Sequence, residues 1–269
     1  MTLKEAEKLL KDGGIEDARH EARIIFAAVG GEPIYKLLTP DYSSENKEVE
    51  EAVLRRAKRE PLAYIIGWVD FYNERYKVTP DCLIPRPDTE ILVDFAVDSI
   101  PEGESFIDLC TGSGCVAIST LANSKNTRAV AVDISEGALS VARENASFME
   151  VSDRIEFIKA DVTEAPICDK VFAVLSNPPY VSESAYKTLE PEIYREPKIA
   201  FLGGEDGGDF YRKLTPLYRD VIADEGFIAY EIGYDQADLL ACIAEENNMR
   251  ISILRDLSGN TRVAVLRKK

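Results

Sequence analysis

The tetrapeptide Asn177-Pro178-Pro179-Tyr180 ends the apolar run Val171-Phe172-Ala173-Val174-Leu175, and its residue types suit one kind of chemistry. Two consecutive prolines cannot extend a sheet, so a strand stops there. Asn177, preceding Pro178, is driven toward an extended backbone. The turn is stiff and offers an amide side chain, carbonyls without competing N–H groups, and an aromatic face. The Asn177 side-chain oxygen and the Pro178 carbonyl can each accept a hydrogen from a planar –NH2 group, with Tyr180 over its flat face. A nitrogen of that kind gains positive charge as it attacks a methyl group, so fixed acceptors help most in the transition state. The competing structural reading is a Pro-Pro turn that only caps a strand.

A second constellation is Asp108-Leu109-Cys110-Thr111-Gly112-Ser113-Gly114, where a strand ends and a helix opens. Glycines at such a turn let a ligand approach the backbone. Gly112-x-Gly114-x-x-Ala117 also satisfies the dinucleotide fingerprint, so the loop by itself leaves a nicotinamide cofactor open. Asp133, at the end of the next strand, suits ribose hydroxyls under either reading. Two features favour S-adenosylmethionine. Asp108 stands just before the turn, where a carboxylate meets a cationic amino group, and the chain closes with an antiparallel hairpin. Asp161-Val162 follows the third strand and offers adenine an acceptor side chain and a backbone N–H; Asp161 as a turn residue or cap is the alternative.

The elements that must position these groups follow from the pattern. Thr2 and Glu5 have capping-box spacing ahead of Leu3, Ala6, Leu9 and Leu10. Further helices are expected over Asp17–Val29 and Glu45–Arg59, with a helical turn at Ile34–Leu38. His20 reads as a solvated helix residue, and Arg55, Arg56, Lys58 and Arg59 as a solvated basic helix end. Strand-like residues from Pro61 to Ile84 predict a β-hairpin turning at Asn73-Glu74, and Asp88 is the expected N-cap of the next helix. After Gly103, strands alternate with helices, the mark of a parallel α/β sheet. Strands are expected at Ser105–Leu109, Arg128–Val132, Arg154–Lys159, Val171–Leu175, Gly226–Ile232, Arg250–Arg255 and Thr261–Leu266. Helices are expected at Gly114–Ala122, Glu136–Phe148, Asp209–Ile222 and Gln236–Glu246. The last two strands are too close for a crossover, so Ser258-Gly259-Asn260 makes a hairpin. The expected domains are 1–60 (helical, for substrate docking), 61–85 (hairpin linker) and 86–269 (catalytic). In this reading Gly112, Asp133, Asp161 and Asn177 all follow carboxyl ends of strands, where open α/β sheets bind ligands.

A chain of 269 residues with 45% hydrophobic content can bury a large core. Its net charge of −16 argues against general nucleic-acid or anionic-membrane binding. The five cysteines form no C-x-x-C pair, which disfavours a zinc site or disulfide framework and fits a reducing cytoplasm. No signal peptide or membrane-length apolar run is expected.

With Asn177–Tyr180, Asp108–Gly114 and Ile84-Pro85-Arg86-Pro87-Asp88-Thr89-Glu90 together, the chain resembles the peptide chain release factor N5-glutamine methyltransferases. The resemblance extends to the helical N-terminal module, Glu60–Gly67 and Glu231-Ile232-Gly233. It implies a seven-stranded, Rossmann-like class I S-adenosylmethionine-dependent fold with a small helical domain joined by a β-hairpin. It also implies methyl transfer to the glutamine of the Gly-Gly-Gln loop of class-I release factors, leaving S-adenosylhomocysteine. Carried over by position, Asp108, Cys110, Thr111, Gly112, Ser113 and Gly114 take the methionine side of the cofactor. Asp133 with Ile134 takes the ribose, and Asp161 with Val162 the adenine. Asn177, Pro178, Pro179 and Tyr180 are the catalytic residues and hold the glutamine, Asn177 also meeting the cofactor, and Arg86 and Pro87 line the entrance. Three positions depart from the pattern: Cys110 stands for glycine, Asp88 for glutamate, and Val162 where some relatives have tryptophan. No metal is implied, and a monomer is expected. The rival readings are the sister enzyme that modifies a ribosomal-protein glutamine, an adenine-N6 DNA methyltransferase, and a non-catalytic scaffold. The first differs after the arginine of the Ile84–Glu90 stretch. The second needs a basic DNA groove, which the net charge of −16 and the short helical N-terminal module argue against. The third would tolerate a decayed loop, and here both motifs are intact.

Overall fold

The first helix, α1 (Leu3–Asp12), begins with the capping box: Glu5 N–H donates to Thr2 Oγ1 at 3.2 Å and Thr2 N–H to Glu5 Oε2 at 2.7 Å. It packs with α2 (Ala18–Ala28) and α3 (Lys47–Ala57) around Leu3, Leu10, Ile25, Phe26, Val49 and Val53. A 3-10 turn over Ile34–Leu38 lies between α2 and α3. This computed structural model describes residues 1–39 and 42–269; residues 40 and 41 of the expected helical module lie outside the described residues. Two units emerge: Met1–Trp68 with Glu190–Arg195, and Val69–Leu189 with Glu196–Lys269.

Several expectations for the first unit and the hairpin need correction. The basic end of α3 is not solvated throughout. Arg56 is buried, ion-paired with Glu21 and, at 2.7 Å, with Glu192, which Arg59 also meets at 2.6 Å. A buried guanidinium with two carboxylates is a fixed structural contact, whereas an exposed pair contributes little. His20 is exposed, as expected. Leu62–Ile66 forms a short helix, α4, ended by Gly67 at φ 85°, although its aromatic and β-branched content reads as strand. The hairpin strands are β1 (Trp68–Phe71) and β2 (Glu74–Lys77). The turn falls on Tyr72 (φ 50°) and Asn73 (φ 64°), one residue earlier than predicted, because a two-residue hairpin turn of this hand needs positive φ at both positions.

In the second unit, a 3-10 turn at Pro87–Thr89 leads into α5 (Glu90–Ser99). Asp88 is therefore not its N-cap: Thr89 precedes the helix, and Asp88 ion-pairs with Arg262 at 2.9 Å. The sheet contains β3 (Ser105–Leu109), β4 (Arg128–Asp133), β5 (Ile155–Lys159), β6 (Val171–Ser176), β7 (Ile222–Glu231), β8 (Met249–Arg255) and β9 (Thr261–Lys268). The helices between them are α6 (Cys115–Ala122), α7 (Glu136–Phe148), α8 (Glu183–Tyr186), α9 (Asp209–Arg219) and α10 (Ala237–Glu246). The seven strands run in the order β5-β4-β3-β6-β7-β9-β8 with β9 antiparallel to both neighbours, as the closing hairpin requires. Both faces are apolar and covered, which is why these strands read as continuous hydrophobic runs. Phe106, Ala131 and Ala173 pack toward Leu92, Ile118 and Leu121, while Ile107, Val132 and Val174 pack toward Tyr211, Leu214 and Leu240. The prediction extended α9 to Ile222, but Ile222 pairs with Val171 and already belongs to β7.

Candidate functional site

The strand order puts the carboxyl ends of β5, β4, β3 and β6 in one row, and the predicted residues leave the sheet there. Thr111 N–H donates to Val132 O at 3.0 Å, and Ser176 Oγ to Leu109 O at 2.7 Å, which ties the loop after β3 to both adjacent strands. The edge opens into a cavity of about 260 Å³ whose walls include Cys110, Gly112, Asp133, Ile134, Asp161, Val162, Asn177 and Pro179. A second cavity of about 30 Å³ shares Cys110, Gly112 and Asn177 and adds Arg86, Asp108, Thr111 and Ser113. Pro87, Gly114, Pro178 and Tyr180 line neither cavity.

The loop after β3 is shaped by its backbone. Gly112 has φ 57°, and a Cβ built there would meet nothing within 4 Å, so its main chain is open to a ligand. Gly114 (φ 82°) is closed on its other side by Ile118 and Ala142, which explains the second glycine by packing. Cys110 has φ 61°, the left-handed region in which glycine is unstrained, at a cost for cysteine of about 1 kcal/mol or more. Burial pushes its thiol pKa far up, so it is a neutral wall group. Ser113 Oγ is buried beside the Cys115 thiol, with no nitrogen or oxygen partner.

Three carboxylates take different roles from their surroundings. Asp133 accepts Gly112 N–H through Oδ2 and Ser135 N–H through Oδ1, each at 2.9 Å; burial raises its pKa and these N–H groups oppose the rise. Asp161 accepts the N–H (2.9 Å) and hydroxyl (2.7 Å) of Thr163, which lower its pKa. Asp108 is 1% exposed and accepts the Thr111 hydroxyl at 2.5 Å. Burial pushes its pKa from 3.8 up to about 7, against the Thr111 hydroxyl and the Ala117 N–H.

A raised carboxyl pKa means that the folded state binds the proton more tightly than the unfolded chain. The stability Asp108 contributes is therefore full below pH ~4 and lost as pH rises through ~7. Asp108→Asn is expected to be the more stable protein at pH 8, by an amount on the order of a few kcal/mol, with the gain gone at pH 4. Thermal melts at the two pH values check this. An equal gain at both would mean that the ionised carboxylate is not the destabilising group.

Arg86 is ion-paired with buried Glu196, whose other oxygen accepts Ile84 N–H at 3.0 Å. Asn177, half-buried, donates from Nδ2 to Thr89 Oγ1 at 3.2 Å. Tyr180, half-buried, donates its hydroxyl to Glu231 Oε1 at 3.1 Å. Sequence reasoning missed the roles of Thr89 and Glu196, and of Phe210 and Lys213 on α9, which complete the larger wall. The Ile84–Glu90 stretch contained Thr89, but nothing local signals Glu196. Among the described residues, no group of three or more His, Cys, Asp or Glu could hold a metal ion, and no helix is long and apolar enough to cross a membrane.

A seven-stranded sheet of this order, with a glycine loop after its first strand in the chain and acidic residues closing the next two, defines a class I methyltransferase. The fold is shared with the ribosomal protein L11 methylase of Lactobacillus delbrueckii subsp. bulgaricus, at TM-score 0.52 and 18% identity over 71% of this chain and 84% of that one. Family models match as PrmC N-terminal domain over residues 2–67 and methyltransferase small domain over residues 87–197. The release factor glutamine methyltransferase of Caulobacter vibrioides is 34% identical over 97% of this chain and 93% of its own. That of Thermodesulfovibrio yellowstonii is 38% identical over 85% and 84%. The chain belongs to the release factor glutamine methyltransferase family.

Proposed function

We propose that this enzyme transfers a methyl group from S-adenosylmethionine to the side-chain amide nitrogen of the glutamine in the Gly-Gly-Gln loop of class-I release factors. The reading places it in the cytoplasm as a monomer without stable nucleic-acid binding, in keeping with the net charge of −16. The observation that carries it is Asn177, whose side chain stands where the two cavities meet and is held by Thr89. The residues present fit the cofactor: the larger cavity carries carboxylates at two strand ends, and the smaller holds the open Gly112 backbone and the buried Ser113 hydroxyl. When bound, S-adenosylmethionine supplies a methyl group on a cationic sulfur.

In this mechanism Asp133 and the Ile134 segment hold the ribose, Asp161 and Val162 the adenine, and the Asp108–Gly114 loop the amino-acid end. Asn177 Oδ1 and the Pro178 carbonyl accept the two hydrogens of the glutamine amide, which fixes the nitrogen's direction and stabilises its growing positive charge, and the methylated nitrogen then releases one proton to solvent. Pro179 walls the pocket, and Tyr180, anchored on Glu231, braces the turn from behind. Arg86, fixed by Glu196, and Pro87 stand at the entrance.

The test is transfer of labelled methyl to a purified class-I release factor, with a DNA duplex and ribosomal proteins alongside. Label on the release factor alone is expected. Label on DNA or ribosomal protein in its place would overturn the substrate assignment.

A further inference from the structure

Asn177 can serve as an acceptor only if its amide oxygen, and not its nitrogen, faces the substrate. An amide has two nearly isosteric ends, so something must select between them. The Asn177 nitrogen donates to Thr89 Oγ1, and among the described residues no donor meets Asn177 Oδ1. A threonine hydroxyl has one hydrogen, and whichever group takes it decides whether the oxygen is left to accept. Glu231, 2% exposed at the end of β7, accepts the Tyr180 hydroxyl through Oε1 at 3.1 Å; burial pushes its pKa up to about 7, and the Thr89 and Tyr180 hydroxyls favour its ionised form against that rise. Its Oε2 is buried with no hydrogen-bond partner, so the ionised carboxylate has an unmet demand for a hydrogen. With the Thr89 hydrogen drawn to Glu231, Thr89 can only accept from Asn177.

We propose that Thr89 and Glu231 are positioning residues that set the polarity of the Asn177 amide, Glu231 fixing the Thr89 hydroxyl and Thr89 holding the Asn177 nitrogen, so that Oδ1 faces the methyl acceptor. The inference rests on the reading of Asn177 given above. Glu231 thereby holds both ends of the tetrapeptide, Asn177 through Thr89 and Tyr180 directly. The arrangement joins the turn before α5, the loop after β6 and the end of β7, three segments brought together only by the fold.

The experiment is steady-state methyl transfer to a release factor by Thr89→Val, Thr89→Ser and Glu231→Gln, with S-adenosylmethionine affinity measured by calorimetry. Thr89→Val keeps the volume and removes the hydroxyl. Its kcat is expected to fall roughly 10–100-fold, with KM for the release factor and cofactor affinity within about threefold of the unaltered protein. Thr89→Ser restores the hydroxyl and should recover most of kcat. Glu231→Gln brings a donor to Thr89, lets the hydroxyl hydrogen turn to Asn177, and should lower kcat while the melting temperature holds or rises. Normal kcat in Thr89→Val, or equal loss in the valine and serine variants, overturns the proposal. If Thr89→Val does not fold, unchanged kcat in Glu231→Gln overturns it and a lowered kcat with intact stability supports it. An unaltered protein that binds cofactor but labels no release factor fails at the underlying reading, and the polarity proposal falls with it.

Discussion

Replacing Asn177 with alanine is expected to lower turnover by roughly 10²–10³-fold while leaving S-adenosylmethionine affinity nearly unchanged. The side chain is a small part of the larger cavity's wall, whose carboxylates and glycine loop are untouched by the change. The loss therefore falls on the acceptor that the substrate amide requires as its nitrogen becomes positive. Asn177→Ala also removes one hydrogen bond, that to Thr89 Oγ1, from a half-buried side chain, so the second unit should fold normally. Single-turnover rates at saturating cofactor, with calorimetric affinity for each protein, separate the two effects. Affinity and turnover falling together by the same factor would place Asn177 in cofactor binding alone.

The second large effect concerns Asp133, where the outcome should be reversed. Asp133→Ala removes a carboxylate that anchors Gly112 N–H and Ser135 N–H, each at 2.9 Å, and faces the larger cavity. A charged hydrogen bond contributes about 1.5–3 kcal/mol, so losing one or two ribose contacts lowers affinity by roughly 10–10⁴-fold. Part of the loss comes from freeing the Gly112 loop. At saturating S-adenosylmethionine the rate should recover toward that of the unaltered protein, because no acceptor for the amide is lost. Unchanged calorimetric affinity would remove Asp133 from the ribose site. The two variants together form a contrast that a general loss of structure cannot reproduce.

Much of the sheet was legible because each strand carries its own apolar run between turn residues, and both faces of the sheet are buried. The errors fall where tertiary context overrode local pattern. Leu62–Ile66 is helical despite β-branched and aromatic residues, and Tyr72 occupies a positive-φ turn position that its side chain does not favour. Arg56 resembled a solvated helix end, because nothing near it in sequence announces Glu192.

The same division runs through the site. The glycine loop, Asp133, Asp161 and Asn177 announced themselves by local motif and by position after strands, since each must leave the same sheet edge. The groups that orient them were hidden by sequence distance: Thr89 lies 88 residues from Asn177, and Glu196 lies 110 from Arg86. Tyr180 was legible as part of the motif, but its direction was set by Glu231 at the end of another strand.

The most direct measurement is tandem mass spectrometry of a class-I release factor after incubation with this protein and S-adenosylmethionine. A single methyl on the Gly-Gly-Gln glutamine is expected, absent when that glutamine is alanine and formed roughly 10²–10³-fold more slowly with Asn177→Ala at matched cofactor occupancy. A methyl at any other residue, or undiminished methylation by Asn177→Ala, would contradict the account.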